Sequence, residues 1–420
     1  MIDDPAAFLR QLFNAAVAAA DPMRVVPAAL PPKPAGRVIV VGAGKASARM
    51  AEAVEASWGP CEGLVLTRYG YGRPTRSIEI VEAAHPVPDA NGPAATARMR
   101  ALLEGLGEGD FVLALISGGG SALLVEPAGA ITLAEKQAIN DALLASGAPI
   151  GAMNIVRKHL SRMKGGQLAA AAWPARMLAL IVSDVPGDDP ALIASGPTVG
   201  DASMPADATA ILERWGIAVP PSVAAVLEGP PQVLAPDAPR LARVENRVIA
   251  APSQSLAAAA ALAEAAGVRV RLLGDALEGE ARDLAAAQAG LARQVQADLR
   301  PGGAPVLLLS GGECTVTRRG DGVGGPNAEF ALGLALALGG QAGIWGIACD
   351  TDGVDGAAEV AGAIVAPGTL ARARALGLDP AAALAHNDAH RFFERIGDQV
   401  VTGPTLTNVN DFRAILISQQ

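Results

Sequence analysis

FVLALISGGGS, which runs from Phe111 to Ser121, sets the fold class of this chain. Its first six residues form an apolar, β-prone run of strand length. The three glycines that follow let the backbone turn and approach a ligand closely. Consecutive N–H groups in such a turn form a concavity that binds anions, most often phosphate. The stretch therefore predicts a strand that ends at a phosphate-binding edge, where the candidate contacts are Ser117, Gly118, Gly119, Gly120 and Ser121.

Two further strand-to-glycine turns occur along the chain. Val38–Lys45 reads VIVVGAGK and adds a fixed positive charge, and Leu307–Glu313 reads LLLSGGE. A lysine ammonium at the start of a helix can contact a phosphate or a carboxylate. The alternative is an exposed lysine on a tight turn. Three such turns suggest a phosphorylated ligand, for which the additional candidates are Lys45, Ser310, Gly311, Gly312 and Glu313.

The composition disfavours several classes of protein. Although 51% of the residues are hydrophobic, they form no uninterrupted run of about 18 residues, so we expect no membrane-spanning helix. A net charge of −9 disfavours nucleic acid as a partner, yet a locally basic site could still bind a small anion. Three cysteines without metal-binding spacing, and an acidic start that lacks the basic region of a signal peptide, predict a cytoplasmic protein.

Strand-like and helix-like runs alternate along the chain. The alternation predicts a mostly parallel, helix-covered sheet in residues 1–235 and a second, smaller α/β domain in residues 236–420, with a cleft between them. Residues 229–240 are rich in proline and predict a linker or an exposed crossover. The predicted strands are 37–41, 63–67, 78–82, 111–116, 177–183, 247–251, 268–273, 305–310, 344–349 and 361–365. The predicted helices are 5–20, 45–57, 92–106, 132–146, 154–172, 254–266, 279–298 and 327–338.

A cationic segment lies inside this acidic chain. Residues 154–166 carry Arg157, Lys158, His159, Arg162 and Lys164, directly before a glycine pair. Such a cluster could hold a triphosphate or an acid substrate. The alternative is a solvated helix face, which is the usual role of a charge run.

Carboxylates follow two of the predicted strands. Asp184 and Asp189 come after the run 177–183, and Asp350 and Asp352 come after the run 344–349. Carboxylates at strand ends suit Mg²⁺ binding or removal of a proton from a hydroxyl group. Turn formation and helix capping are the alternative roles.

Histidines are few and give no catalytic signature. His386 and His390 are spaced i, i+4 on a predicted helix, but the zinc-protease signature would require glutamate at position 387, where this chain has Asn387. We expect both histidines to be structural. His85 precedes a proline and could contact a ligand or form part of a turn.

Together these segments resemble the class II glycerate 2-kinase family, some of whose members carry the name hydroxypyruvate reductase. Members combine a glycerate kinase domain with a C-terminal MOFRL domain. The matching segments follow one another over nearly the whole chain, and their combination is specific. They are 41–47, 85–89, 117–121, 156–166, 183–189, 194–198, 310–313, 324–329, 350–356 and 401–411.

The resemblance implies ATP- and Mg²⁺-dependent phosphorylation of D-glycerate at its 2-hydroxyl, which gives 2-phosphoglycerate. It implies a Rossmann-like N-terminal domain, a smaller α/β domain and an active site in the cleft between them. The implied catalytic residues are Lys45, Asp184 and Asp189. The implied nucleotide contacts are 117–121, 310–313 and Lys164; the implied substrate contacts are Arg157, Asn327 and Asp352; the implied Mg²⁺ ligands are Asp184 and Asp350.

Two departures from the family pattern bear on the site. Many relatives carry arginine where this chain has Pro326, and often glycine where it has Leu406. Arg157 or Lys164 could supply the cation missing at position 326. The departure at Leu406 leaves the shape of that loop open.

Two other functions remain open at this point. An NAD(P)H-dependent hydroxypyruvate reductase could use the Gly42–Ser47 turn for a pyrophosphate, although the third glycine of the dinucleotide fingerprint is missing. A non-catalytic protein could use the same residues to sense a phosphorylated acid. The sequence also leaves open the identity of the 2-hydroxy acid and the oligomeric state, for which a homodimer is one candidate.

Overall fold

The computed structural model describes residues 2–419 and divides into two compact units. One unit is Pro22–Ile249. The other joins the residues up to Asp21, which include helix α1 (Pro5–Ala19), to the residues from Ala250 onward. The division therefore runs between Ile249 and Ala250. Residues 229–240 pack within the first unit, where the Leu234 N–H donates to the Gly165 carbonyl at 3.0 Å.

The first unit is built on a six-stranded sheet with helices along its connections. Its strands are β1 (Val38–Ala43), β2 (Glu62–Arg68), β3 (Ile78–Ala83), β4 (Phe111–Ser117), β5 (Arg176–Val182) and β6 (Val244–Ala250). Its helices are α2 (Pro22–Ala29), α3 (Ser47–Trp58), α4 (Asn91–Leu102), α5 (Gly120–Leu123), α6 (Leu133–Ser146), α7 (Ile150–His159), α8 (Gln167–Ala171), α9 (Pro205–Arg214) and α10 (Pro221–Leu227). Short 3₁₀ helices span Pro186–Asp188, Ile193–Ser195 and Pro239–Leu241.

The strand order of this sheet is β3-β2-β1-β4-β5-β6, and the pairings among β1 to β5 are parallel. Strands β1 and β4 are buried along their whole length, as expected when helices cover both faces of a parallel sheet. This is the Rossmann order, in which the winding reverses between β1 and β4. Ligands bind beyond the carboxyl ends of the strands at such a reversal, and the first two glycine turns follow these two strands.

The second unit contains a mixed six-stranded sheet. Its strands are β7 (Arg269–Gly274), β8 (Gly279–Glu280), β9 (Val306–Gly312), β10 (Cys314–Thr315), β11 (Ile344–Asp350), β12 (Gly362–Val365), β13 (Gln399–Val400) and β14 (Asp411–Ile417). Its further helices are α11 (Pro252–Ala265), α12 (Ala281–Ala297), α13 (Pro326–Leu338), α14 (Thr369–Ala375), α15 (Pro380–Ala385) and α16 (Ala389–Ile396). Strands β8 and β10 form a separate parallel pair.

The order of the mixed sheet is β13-β12-β11-β14-β9-β7, and only β7 and β9 pair in parallel. Strand β14 lies between β11 and β9, so that Asp411 at its start is opposite both Asp350 and Gly312. Helices α1 and α11 contribute to one core cluster, in which the rings of Phe13 and Phe412 are 5.7 Å apart. These two sheets confirm the predicted fold class.

Two predictions of secondary structure were wrong. The helix predicted over 154–172 is two helices, because the chain turns between α7 and α8 through Gly165 and Gly166, whose φ angles are +57° and +82°. His386 and His390 do not share a helix, because α15 ends before His386 and α16 begins after it.

None of the helices between residues 2 and 419 combines the length and the apolarity that crossing a bilayer requires.

Candidate active site

The first two glycine turns are bonded to each other. The Lys45 N–H donates to the Gly118 carbonyl at 2.8 Å, and the Ala46 N–H donates to Ser117 Oγ at 3.0 Å. A side chain at Gly44 would overlap Ser117. The glycines after β1 therefore allow close packing against the turn after β4, and the N–H groups of Lys45 and Ala46 already have protein acceptors.

The turn after β4 differs because its N–H groups are open. Among residues 2–419, the N–H groups of Gly118, Gly119, Gly120 and Ser121 have no hydrogen-bond acceptor. Gly119 has a φ of +80°, a conformation that favours glycine. Successive open N–H groups in a turn bind anions. Of the two turns, the one after β4 is thus suited to hold a phosphate or a carboxylate.

A pocket of about 270 Å³ lies beside this turn. It is bordered by residues 85–88, by Gly119 and Ser121, and by side chains of α6 and α7. A Cβ atom at Gly119 would lie 3.1 Å from His85 Nε2 and 3.2 Å from Lys45 Cγ. Lys45 and His85 therefore both lie beside the open turn, and His85 also borders the pocket.

Three cationic side chains line the same pocket: Lys136, Arg157 and Lys164. None of them forms an ion pair with any carboxylate that the structure describes. Arg157 Nε instead donates to the Asn140 amide oxygen at 2.8 Å. Cations in a partly desolvated pocket stabilise a bound anion strongly, and none of these three is ion-paired with Asp141, which also borders the pocket.

The pKa values of these cations reflect their surroundings. Burial, followed by the charge of Arg157, lowers the pKa of Lys136 to about 8. Burial lowers the pKa of Arg157. Burial, followed by the charges of Lys136 and Arg157, lowers the pKa of Lys164 well below its ordinary value. A bound anion would oppose each of these effects, because it stabilises the protonated forms.

Lys164 also supports the open turn. Its ammonium donates to the Ser121 carbonyl at 2.8 Å and to the Leu124 carbonyl at 3.0 Å. The Ser121 hydroxyl is 2.6 Å from that of Ser195, whose φ of +62° is unusual for a residue other than glycine. Lys164 and Ser195 thus fix the position of Ser121 in the pocket wall.

The structure divides the cationic run 154–166 into two groups. Arg157 and Lys164 line the pocket, as the functional interpretation predicts. Lys158 is buried and paired with Asp201, and Arg162 is paired with Glu126 at 3.1 Å. Helix geometry explains why Arg157 and Lys158 differ, because neighbouring residues of α7 point in different directions, whereas Arg162 and Lys164 lie in the connection after α7.

The two carboxylates after β5 lie in different settings. Asp184 is half-buried and close to the end of β5, where Val182 pairs with Ser117, so it lies at the same sheet edge as the open turn. Asp189 is exposed, and its Oδ1 accepts the Ala191 N–H at 2.9 Å. Neither residue borders the pocket. The contact of Asp189 is typical of a turn-forming aspartate.

The candidates in the second unit form local turns and a buried network. Asp350 Oδ1 accepts the Asp352 N–H at 2.9 Å, and buried Asp352 accepts the Val354 N–H at 2.8 Å. Ser310 Oγ accepts a hydrogen bond from Gln288 at 3.3 Å. The glycine turn predicted at 310–313 is not a turn of the kind seen after β4, because Gly311 and Gly312 are the last residues of β9 and pair with Phe412 and Asp411, and only Glu313 follows the strand.

Asn327 belongs to a buried polar cluster that also contains Asp355, Asp411 and Arg413. Its amide donates to Asp411 at 2.6 Å, and Asp355 accepts the Asn327 and Ala328 N–H groups at the start of α13. Arg413 Nη1 is 3.0 Å from Asp411 Oδ2. Burial, reduced in effect by Arg413, raises the pKa of Asp411 to about 6.

The sequence interpretation did not single out Lys136, Asp355 or Arg413. Arg413 was detectable in principle, since DFRAILI places two charged residues in an otherwise apolar strand. Lys136 has no such signal, because it is one of several polar residues spread along α6. Within residues 2–419, no group of three or more His, Cys, Asp or Glu residues could hold a metal ion.

Two family models match the chain. Residues 8–228 match a domain of unknown function, DUF4147, and residues 306–411 match the MOFRL family.

Curated relatives match over nearly the full chain. A protein of Agrobacterium vitis with a provisional hydroxypyruvate reductase name is 55% identical, over 97% of this chain and 94% of its own length. The D-glycerate 2-kinase of Thermotoga maritima is 40% identical, over 96% of this chain and 95% of its own. The crystal structure of a Thermotoga maritima glycerate kinase has a TM-score of 0.86 and 38% identity, over 98% of this chain and 99% of its own.

Proposed function

This chain belongs to the glycerate kinase family that combines a DUF4147 domain with a MOFRL domain, and we propose that it transfers a phosphoryl group from ATP to the 2-hydroxyl of D-glycerate. The product would be 2-phosphoglycerate. The observation that carries the proposal is the convergence of Lys136, Arg157 and Lys164, all without acid partners, on one pocket beside an open glycine turn.

Phosphoryl transfer is a reaction that such a site can promote. Catalysis depends mainly on positioning the reactants and neutralising charge, with little covalent chemistry left for the protein. Open N–H groups at 118–121 and the ammonium of Lys136 would hold phosphate oxygens, and Lys164 would keep the turn in place. Arg157 would bind the acid substrate, in the role of the arginine that relatives carry at position 326.

The remaining roles follow from position in the fold. We assign Lys45, beside the open turn, to the transferring phosphoryl group, and Asp184, at the same sheet edge, to orienting or deprotonating the acceptor hydroxyl. Asp189 is the second candidate for that task. In the other unit, Ser310–Glu313 would contact the nucleotide, and Asn327 and Asp352 would contact the substrate.

Mg²⁺ binding would require few protein ligands. This ion commonly takes one or two carboxylates and completes its coordination with waters and substrate phosphates. Half-buried Asp184 and Asp350, each at the end of a strand, fit that description. Bound there, Mg²⁺ would neutralise charge on the phosphates.

The test is product identification. Purified protein is incubated with D-glycerate, ATP and Mg²⁺, and the product is identified by phosphorus NMR and by coupling to enolase. We expect 2-phosphoglycerate. Formation of 3-phosphoglycerate would overturn the acceptor geometry. NADH oxidation with hydroxypyruvate, without a phosphorylated product, would instead indicate a reductase. The structure argues against a reductase, because the Lys45 and Ala46 N–H groups that would bind a pyrophosphate already donate to protein acceptors.

Replacing Arg157 by glutamine should raise the KM for D-glycerate about 10-fold to 100-fold, the range expected for loss of a charge-assisted hydrogen bond. The KM for ATP should change far less. Arg162→Gln is the matched control, since Arg162 lies shortly after the end of α7 but pairs with Glu126 outside the pocket. A rise in the KM for ATP alone would assign Arg157 to the nucleotide.

The affinity for ADP should fall as the pH rises above about 8. Lys136, with a pKa of about 8, is protonated below that pH and becomes neutral above it, whereas the phosphates of ADP are already fully ionised. Linkage to this one proton limits the slope to about tenfold per pH unit. Calorimetric titrations from pH 7 to pH 9.5 would measure it.

Lys136→Arg provides the comparison for this pH dependence. Arginine keeps its charge over the whole range, so the decline above pH 8 should flatten, apart from the contribution of Lys164. An equally steep decline in the variant would show that Lys136 is not the titrating group.

A further inference from the structure

We propose that the apolar wall of this pocket binds the nucleoside part of the phosphoryl donor. The inference rests on the proposed kinase function and adds a base subsite that lies away from the glycine turns.

The pocket has more apolar lining than glycerate can cover. Buried Ile139, Leu143, Val156 and Leu160 line it, together with exposed Leu144. Glycerate carries a carboxylate and two hydroxyl groups on a short carbon chain and offers almost no apolar surface. An apolar wall contributes to affinity only when an apolar surface covers it. Of the two substrates of the proposed reaction, only the nucleotide has such a surface.

The cationic and apolar parts of the wall are separated along α6. Lys136, Asn140 and Leu143 are spaced i, i+4 and i+7, so they lie along one face of this helix. The rise of an α-helix places Lys136 and Leu143 about 10 Å apart along the axis. The pocket thus offers a cation near one end and a leucine pair near the other. An extended nucleotide has the complementary distribution, with phosphates at one end and a base at the other.

Exposed Leu144 continues the apolar wall beside Leu143 on α6 and is placed to cover the face of the base.

The test uses the full-length protein, one substitution in the wall and one matched control. Leu144→Asp should raise the Kd for ADP and the KM for ATP about 10-fold, because it places a charge against the base, and leave the KM for D-glycerate unchanged. Leu376→Asp, at a leucine of similar exposure on α14's C-terminal end, is the control.

The outcomes separate this inference from the proposed function. A higher KM for D-glycerate with an unchanged KM for ATP would assign the wall to the acceptor and overturn the inference. Unchanged ADP binding in Leu144→Asp would also overturn it. Calorimetric ADP binding needs no turnover. If the wild-type protein bound ADP without phosphorylating glycerate, and Leu144→Asp weakened that binding, the kinase proposal would fail while the base subsite stood.

Discussion

Lys45→Met is expected to lower kcat for glycerate phosphorylation about 10³-fold, while the protein stays folded. Charge-stabilising groups in phosphoryl transfer contribute factors of this size, because they neutralise charge that develops only in the transition state. Lys45 is placed for this role by its backbone bond to Gly118 and by the closeness of its side chain to Gly119. Single-turnover kinetics at saturating ATP and D-glycerate would measure the effect.

Lys33→Met is the matched control for this prediction. Lys33 lies in the same unit, but its ammonium donates to the carbonyls of Trp58 and Pro60, outside the pocket. We expect near wild-type turnover from it. If well-folded Lys45→Met also kept turnover within a few-fold of wild type, Lys45 would be a turn residue and no part of the catalytic apparatus.

Arg413→Met is expected to lower the free energy of unfolding by about 3–5 kcal/mol, the cost of leaving a buried charge without its partner. Arg413 is 1% exposed, pairs with Asp411 at 3.0 Å, and donates to the Gly311 carbonyl at 2.7 Å. Its removal leaves Asp411 with the Asn327 amide and the Cys314 N–H as its donors. Urea unfolding followed by circular dichroism would measure the loss.

A double substitution tests whether charge is the cause. Adding Asp411→Asn to Arg413→Met should recover part of the lost stability, because no buried carboxylate remains. The wild-type pH dependence gives a second check. The Asp411 pKa is raised from 3.8 to about 6, so the folded state binds the extra proton and this group's contribution to stability falls as the pH rises through that interval. A loss below about 1 kcal/mol in Arg413→Met would contradict the account.

Local patterns predicted the parallel sheet well. β1, β2, β4 and β5 each contain a short apolar run ended by glycine or a polar residue, and a buried parallel strand requires such a run. The edge strand β3 instead alternates apolar residues with glutamates. β14 has the same apolar character but was not predicted as a strand, because its start reads as a continuation of the loop 401–410. Its antiparallel place between β11 and β9 depends on contacts far apart in sequence, which no local pattern contains.

The candidate site was predictable only in part. The turn 117–121, Arg157 and Lys164 carry visible signals, namely consecutive glycines and an unusual cation density, and the structure brings them to one pocket. Lys136 reaches the same pocket only through the packing of α6 on α7. The N–H groups of Lys45 and Ala46 are occupied, whereas those of 118–121 are open. This difference depends on hydrogen bonds between the two turns, which sequence spacing does not reveal.

The central place of β14 has a consequence for the order of folding during synthesis. Strands β9 and β11 are both translated before β14 and pair with it on its two sides, so their edges stay unpaired until residues 411–417 leave the ribosome. Unpaired strand edges are templates for association with other chains. The Pro22–Ile249 unit needs no such late strand. The nascent chain should therefore carry one assembled sheet and one incomplete, aggregation-prone sheet. We expect a chaperone to matter most in the interval before β14 emerges.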